Sequence, residues 1–269
     1  MMPIEQESEF EIRVALASPE RTAGGPAGAG MPAGHEITPE VRREIIKWIV
    51  QAAFGLVGYG LILFFTAGRL DWLWGWALLG VVAAVLAAHV LILVPINPEL
   101  LAEREKGIRD QGVKAWDKWV AMLAAGVLPI ASWVVAGLDV RFHWTGPLPL
   151  VRHVAGLVVN LLGYALFLWA MASNAFFSEG VRIQEERGHA VATGGPYRYV
   201  RHPGYVGAIL AQLATPFLLG SPWALIPSVG SAALYVLRTY LEDRTLIEEL
   251  PGYREYAQRT RYRLLPGVW

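Results

Sequence analysis

The chain has no cysteine and relatively few charged side chains. The lack of thiols excludes disulfides, iron–sulfur clusters, thiolate nucleophiles and cysteine-based zinc sites, and we expect no metal centre. Charged residues make up 17% of the 269 positions and hydrophobic residues 54%, whereas an ordinary soluble domain is about 25% charged. The formal net charge is zero, so no overall field favours nucleic acid as a partner. This composition indicates a membrane protein, part of whose surface contacts lipid.

The N-terminus lacks the features of a secretory signal, which needs a basic start and an apolar stretch. It carries acidic residues from Glu5 to Glu11 and then a run rich in Gly, Ala and Pro from Thr22 to Gly34. So little apolar surface cannot offset the entropy cost of ordering the chain. We therefore expect residues 1–38 to form a disordered tail.

Four long apolar segments of 19 to 23 residues follow in the region 39–172. A helix needs about 20 residues, at ~1.5 Å each, to cross a hydrocarbon core of ~30 Å. Each segment is therefore predicted to span the membrane. The segments are Ile45–Ala67, Trp72–Val94, Trp119–Leu138 and Val154–Ala172.

Two apolar segments of 15 residues lie in the region 173–269, Tyr205–Leu219 and Trp223–Leu237. The breaker Gly220-Ser221-Pro222 joins them, and each would reach only roughly 22 Å as a helix. They predict a short helical hairpin, and the charged residues after it predict an amphipathic helix along the membrane surface. The fold class is therefore all-α, a polytopic membrane protein with about six membrane helices.

Basic residues are distributed unevenly between the two ends of the predicted helices. With the N-terminus inside, 18 basic residues fall on the inner side, and only Arg69, Arg141 and Arg152 fall outside. Basic loops favour the cytoplasm. We expect six crossings with both termini cytoplasmic, in a bacterial inner membrane.

The segment from Gln184 to Tyr205 holds three tyrosines, two histidines and four glycines beside a membrane face. Its glycines and prolines exclude a long regular helix. One interpretation is a functional site; the other is an interfacial loop whose tyrosines and arginines anchor at lipid headgroups. Downstream, Arg238 and Glu242 share a helix face, either as site residues or as a surface ion pair of only ~0.3–0.5 kcal/mol.

Two polar residues, His89 and Asn160, lie within predicted membrane helices. Polar groups at membrane depth favour a functional role. The alternative is a hydrogen bond to a neighbouring helix.

The pattern His189…Thr193-x-Gly195-x-Tyr197-x3-Arg201-His202-Pro203-x-Tyr205-x-Gly207, followed by Arg238-x3-Glu242-Asp243, resembles the isoprenylcysteine carboxyl methyltransferase family. That family groups with the membrane phospholipid methyltransferases, and the ending from Arg261 to Trp269 resembles its bacterial branch. The likeness covers about a third of the chain. The family usually has Glu-Glu where this chain has Glu242-Asp243, so less is carried over to Asp243.

The resemblance implies a site for S-adenosyl-L-methionine in the region 173–269, with a lipophilic or lipidated acceptor as the second substrate. It implies that Arg238 lies toward the methyl acceptor and acts as catalytic and substrate-binding residue. The implied cofactor-binding residues are Gln184, His189, Ala190, Val191, Ala192, Tyr197, His202, Pro203, Gly204, Tyr205 and Glu242.

These residue types suit that chemistry on physical grounds. Glu242 can pair with a cationic group, and tyrosine faces suit a sulfonium or an adenine. A carboxylate acceptor needs no base but needs a cation to orient it, and the planar fork of Arg238 can serve. An amine acceptor must first lose a proton, with His202 as one candidate base.

Three alternatives to carboxyl methylation stay open. Aminophospholipid N-methylation shares the cofactor. Nicotinamide-dependent sterol-type reductases have related membrane folds. A non-enzymatic membrane scaffold or transporter would leave the loop cluster unexplained.

Overall fold

The computed structural model describes residues 38–100, Arg104 and residues 112–269. Apart from Thr38, the predicted disordered tail lies outside the described residues. Within the described part the fold is entirely helical, as expected for the all-α class. The helices are α1 (Pro39–Ala67), α2 (Leu73–Ile96), α3 (Ala115–Phe142), α4 (Leu150–Ala172), α5 (Pro203–Leu219), α6 (Leu225–Glu249) and α7 (Tyr253–Arg259).

The four long apolar segments of the sequence are confirmed as helices α1 to α4. All four are long and apolar enough to cross a membrane. Thr38 caps the first of them, because its hydroxyl accepts a hydrogen bond from the N–H of Val41 at 3.3 Å and satisfies an end group of the helix. Within α3 the stretch Met122–Val127 is π-helical, a local widening that is common at functional sites.

The predicted hairpin is confirmed, but the expected length of its second arm is wrong. The first arm, α5, holds 17 residues and ends at Gly220, whose φ is 81°. The second arm does not end near Leu237. It continues as regular helix to Glu249, and the span Pro222–Glu249 of 28 residues is long enough to cross on its own. Loss of hydropathy after Leu237 marks a change of environment, whereas the backbone hydrogen bonds of the helix continue.

The helices run alternately up and down, so two ends of the bundle can be distinguished. At one end α4 begins beside the end of α5, with the His153 Nδ1 and the Leu218 carbonyl oxygen 2.8 Å apart. The ring of Trp74, near the start of α2, stacks on His153 at 4.3 Å. At the other end α3 begins beside the connection between α4 and α5, where the Lys114 N–H donates to the Val181 carbonyl at 3.0 Å. The residues singled out in the sequence cluster at this second end.

Helices α4 and α5 are held close together by glycines at their crossing. A Cβ atom at Gly163 would lie 2.6 Å from the backbone nitrogen of Ala211, and one at Gly207 would lie 2.5 Å from the Gly163 carbonyl oxygen. Small residues allow such approach between membrane helices. The contact fixes α5 against α4 and thereby places the start of α5, from Pro203 onward, next to the loop that follows α4.

Candidate functional site

A cavity of about 540 Å³ opens among the loop after α4, the start of α5 and the second half of α6. We call it the loop cavity. Most of the residues that the resemblance singled out line it, although they are up to 53 positions apart in the chain. The lining includes His189, Ala190, Val191, Ala192, Tyr197, His202, Gly204, Tyr205, Arg238 and Glu242. The fold thus brings two separate sequence clusters together around one space.

Two of the singled-out residues, Gln184 and Pro203, do not line this cavity. Gln184 is fully buried behind it, where its side-chain amide donates to the Phe176 carbonyl at 2.9 Å. Pro203 begins α5, a position that suits proline because the first helical N–H has no intrahelical partner. A direct contact of either with a cofactor stays a prediction.

His189 is held in its neutral form. Burial, together with the positive charges of Arg187 and Arg182, lowers its pKa to about 4. Its Nδ1 accepts a hydrogen bond from the N–H of Gln184 at 3.2 Å, and its ring stacks on Phe176 with centroids 4.6 Å apart. The proton of the neutral ring therefore lies on Nε2, the donor that His189 can offer to a ligand.

Glu242 is a carboxylate one helical turn from Arg238, close enough for the two charges to interact. The Tyr205 hydroxyl donates a hydrogen bond to it, and Glu242 forms no ion pair within the described residues. The Tyr205 ring is parallel to the His202 ring at 5.8 Å. A carboxylate in a partly enclosed cavity favours a cation, so this wall is suited to a positively charged ligand.

Asp243 stands where the family usually has a second glutamate. Its side chain is fully buried and is the centre of a network of hydrogen bonds. It accepts from Arg201 Nη2 at 2.9 Å, the Tyr253 hydroxyl at 2.9 Å and Arg263 Nε at 2.8 Å. The His202 Nε2 lies 3.3 Å from its Oδ1. This carboxylate ties the Arg-His-Pro segment to α6, to α7 and to the segment after α7. The negative charge of Asp243 is compensated by Arg201 and Arg263, so it does not require a cationic ligand.

Arg238 lines the loop cavity, but its planar fork binds another residue of the chain. Its Nε donates to Asp117 Oδ1 at 2.6 Å and its Nη2 to Oδ2 at 2.9 Å. Asp117 also accepts from the N–H of Val181 at 2.7 Å. The guanidinium lies over the Tyr205 ring, 5.3 Å from its centroid. Nη1 has no hydrogen-bond partner among the described residues, so it is the part of Arg238 left for a substrate.

Asp117 is a residue of the candidate site that the sequence reasoning missed. It lies in the first turn of α3, just before the predicted segment Trp119–Leu138, and is fully buried. The available signal was a single acid between Lys114 and Lys118, on the side of the membrane that is otherwise basic. A carboxylate in that position is costly unless a cation is near it.

A second cavity of about 840 Å³ lies between the helices at membrane depth, and we call it the bundle cavity. Its walls include Trp48, Trp133, Phe167 and His89. It shares seven lining residues with the loop cavity, so the two spaces adjoin. A ligand with a long apolar part and a polar end can occupy both.

The two polar residues at membrane depth differ in their surroundings. Asn160 donates from Nδ2 to the Ala211 carbonyl at 2.8 Å and to the Thr215 hydroxyl at 3.1 Å, both on α5. This is the helix-to-helix contact that was the alternative to a functional role. His89 lines the bundle cavity, its Nδ1 lies 2.7 Å from the Val85 carbonyl oxygen, and its ring stacks on Trp48.

Comparison with known proteins gives a match to the segment that contains most of the candidate site. Residues 155–248 match the model of the isoprenylcysteine carboxyl methyltransferase family. A probable protein-S-isoprenylcysteine O-methyltransferase of Oryza sativa subsp. indica is 30% identical over 112 residues, which cover 39% of this chain and 56% of that protein. The cobalt-zinc-cadmium resistance protein CzcN of Cupriavidus metallidurans is 30% identical over 126 residues, covering 44% of this chain and 49% of that protein.

The chain thus spans about half the length of the curated relatives it matches. Among solved structures, the eukaryotic intramembrane Ras methyltransferase is similar at 20% sequence identity. That likeness covers 82% of this chain and 92% of that chain, with a TM-score of 0.43.

Proposed function

We propose, from the match of residues 155–248 to the isoprenylcysteine carboxyl methyltransferase family, that this protein is an integral-membrane, S-adenosylmethionine-dependent methyltransferase. Its acceptor is the carboxyl group of a lipophilic, prenylcysteine-like molecule. The observation that carries the proposal is the position of Glu242, a carboxylate that forms no direct ion pair among the described residues, in the wall of a cavity large enough for a small cofactor. Ligand pockets commonly measure about 300–1,000 Å³.

The loop cavity fits the cofactor on chemical grounds. S-adenosylmethionine, when bound, supplies a methyl group on a sulfonium sulfur. Glu242 can neutralise a cationic group of such a ligand, and the aromatic faces of Tyr197 and Tyr205 suit a sulfonium or an adenine. His189 offers a neutral N–H donor, since its pKa is about 4. The same residues are the ones that the family resemblance implies.

The acceptor side is suited to a carboxylate attached to an apolar chain. A carboxylate is already a nucleophile and needs no general base, so the chain has only to hold it in line with the methyl group. Arg238 lies at the loop cavity, and no described residue binds its Nη1. The adjoining bundle cavity offers aromatic and aliphatic walls at membrane depth. Together the two spaces allow a lipid to enter from the membrane with its polar end directed at the cofactor.

We propose an orientation with the site and both termini on the cytoplasmic side of a bacterial inner membrane. By sequence, the predicted inner ends of the helices carry 18 basic residues and the outer ends three, and Arg201 and Arg238, which are among the 18, line the loop cavity. Cysteine labelling of intact cells tests this, because the chain has no cysteine of its own. Glu185→Cys, exposed in the loop, should be protected from an impermeant reagent, and His143→Cys at the opposite end should react. The reverse pattern would overturn the orientation.

The activity is tested with purified protein, radiolabelled S-adenosylmethionine and two acceptors, a prenylcysteine analogue and phosphatidylethanolamine. We expect label in a base-labile methyl ester of the prenylcysteine and none in the phospholipid. Glu242→Gln should weaken cofactor binding in calorimetry by about tenfold or more, since a charge-assisted contact contributes ~1.5–3 kcal/mol. The matched control is Glu255→Gln, an exposed acid on α7, which should bind normally. Label in the phospholipid alone would replace the carboxyl proposal with N-methylation.

A further inference from the structure

The junction between the two cavities contains one pair of opposite charges among the residues that the structure describes. Of the seven residues that line both spaces, five are uncharged and two are Arg104 and Glu179. Arg104 Nη2 donates to Glu179 Oε1 at 3.1 Å. Any acceptor that reaches from the bundle cavity into the loop cavity has to pass this ion pair.

Arg238, the expected anchor for an acceptor carboxylate, has most of its donors occupied. Asp117 takes Nε and Nη2, and the Glu179 carbonyl oxygen also accepts from Nη2, at 2.5 Å. A bidentate grip on a second carboxylate would require Arg238 to leave Asp117, which is fully buried. Breaking such a pair is strongly unfavourable, because it strands a buried charge.

Arg104 has donors that the described residues leave open. Its Nη1 reaches the Phe177 carbonyl oxygen at 3.4 Å, a long contact. Its Nε is buried and has no hydrogen-bond partner in the described part of the chain. The side chain of Arg104 is 11% exposed, and that of its partner Glu179 is 36% exposed. The anion can therefore swing toward solvent, whereas the cation stays at the junction.

Glu179 joins the two arginines, since its carboxylate binds Arg104 and its carbonyl oxygen binds Arg238. The two guanidinium groups thus flank a single residue at the boundary of the cavities. A carboxylate that replaced the side chain of Glu179 on Arg104 would lie next to the wall that carries Arg238. In the present arrangement, the carboxylate of Glu179 binds Nη2 of Arg104 at the boundary of the two cavities.

Resting on the proposed function, we propose that Arg104 is the specificity-determining residue that binds the carboxylate of the acceptor, and that Glu179 occupies Arg104 until the acceptor displaces it. Carboxylate recognition by arginine uses paired N–H donors, which Nε and Nη2 of Arg104 provide. The acceptor class that this predicts is an amphiphile with a free carboxylate at its polar end, in preference to a neutral amide or an amine.

The test measures both binding and turnover with a prenylcysteine acid and its carboxamide, using the full-length protein in detergent. Arg104→Gln should raise the KM for the acid by about 10- to 100-fold, the range of a hydrogen bond to a charged group, and abolish the preference for acid over carboxamide. Arg104→Lys should recover part of that preference. Glu179→Gln should lower the KM for the acid, because the competing anion is gone. Arg254→Gln, an exposed arginine on α7, should change neither value.

Two results would overturn the role given to Arg104. One is Arg104→Gln protein that still binds cofactor and still prefers acid to carboxamide. The other is a KM for the acid that rises in Glu179→Gln as it does in Arg104→Gln. That result is expected if the ion pair only stabilises the loop after α4. Failure of the proposed function would look different: the wild-type protein would transfer no methyl group to the acid, while the binding comparison would still report on Arg104.

Discussion

Replacing Asp117 by asparagine removes the only anion that is hydrogen-bonded to the Arg238 guanidinium in the described structure. The carbonyl oxygen of the new amide can still accept from the N–H of Val181, so the loss is confined to two charge-assisted hydrogen bonds of 2.6 and 2.9 Å. Both partners are buried, with side-chain exposures of 7% and 0%. Removing one member of a buried pair costs about 3–5 kcal/mol, because the other charge is left uncompensated. We expect the free energy of unfolding to fall by that amount.

The assay is reversible unfolding in mixed micelles, with the double-mutant cycle Asp117→Leu and Arg238→Met as the decisive comparison. Each single variant should be destabilised, and the double variant should recover most of the loss, because apolar residues of similar volume replace a buried pair at little cost. Asp139→Asn is the matched control. Among the described residues, the buried side chain of Asp139 bonds only Thr145, at 2.8 and 2.9 Å, so its change should cost only about 1 kcal/mol. Equal losses for Asp117→Asn and Asp139→Asn, with no coupling in the cycle, would refute the reasoning.

Three further outcomes are expected. Arg238→Lys keeps the charge but removes Nη1, the donor of Arg238 that no described residue binds, so single-turnover rates should fall by about 10²–10³ with an unchanged cofactor dissociation constant; a rate within about threefold of wild type would contradict a contact of Nη1 with the acceptor. His189 is neutral in the folded chain, with its pKa lowered from 6.5 to about 4, so the unfolded chain takes up a proton first. Stability should therefore decline as the pH falls from 6.5 toward about 4, and a His189→Gln variant that declines equally would exclude His189 as the cause. Gly207→Leu would place side-chain atoms where a Cβ alone already lies 2.5 Å from the Gly163 carbonyl oxygen, so cofactor binding and thermal stability should fall together, whereas Gly58→Leu, in open space, should leave both unchanged.

The membrane helices could be predicted from the sequence because long apolar runs have few alternatives in lipid. The second half of α6 could not, because its backbone stays helical after Leu237 while its side chains become polar. Hydropathy reports where a segment leaves the apolar zone, and the end of a helix depends on capping and hydrogen bonding. The helix ends at Glu249, shortly before Pro251 and Gly252, and these two residues were the better signal.

Much of the candidate site was predicted, since a local pattern from His189 to Tyr205 and the Arg238-x3-Glu242 spacing carry it. What could not be predicted are partners contributed by distant segments. Asp117 reaches Arg238 across 121 positions, and Arg104 reaches Glu179 across 75. Only packing of α3 and the α2–α3 connection against α6 and the loop creates these contacts. Each residue taken alone looks like an ordinary charge at a membrane boundary.

The Asp117–Arg238 pair has a consequence for protein engineering. The segment that matches the family, residues 155–248, contains the arginine but not the aspartate. A chimera that grafts this segment onto the N-terminal helices of another homologue would therefore carry the arginine without its counter-ion, unless the donor helices supply an acid in the same turn. A chimera made from this protein should place its junction before α3, so that Asp117 and Arg238 stay in the same segment.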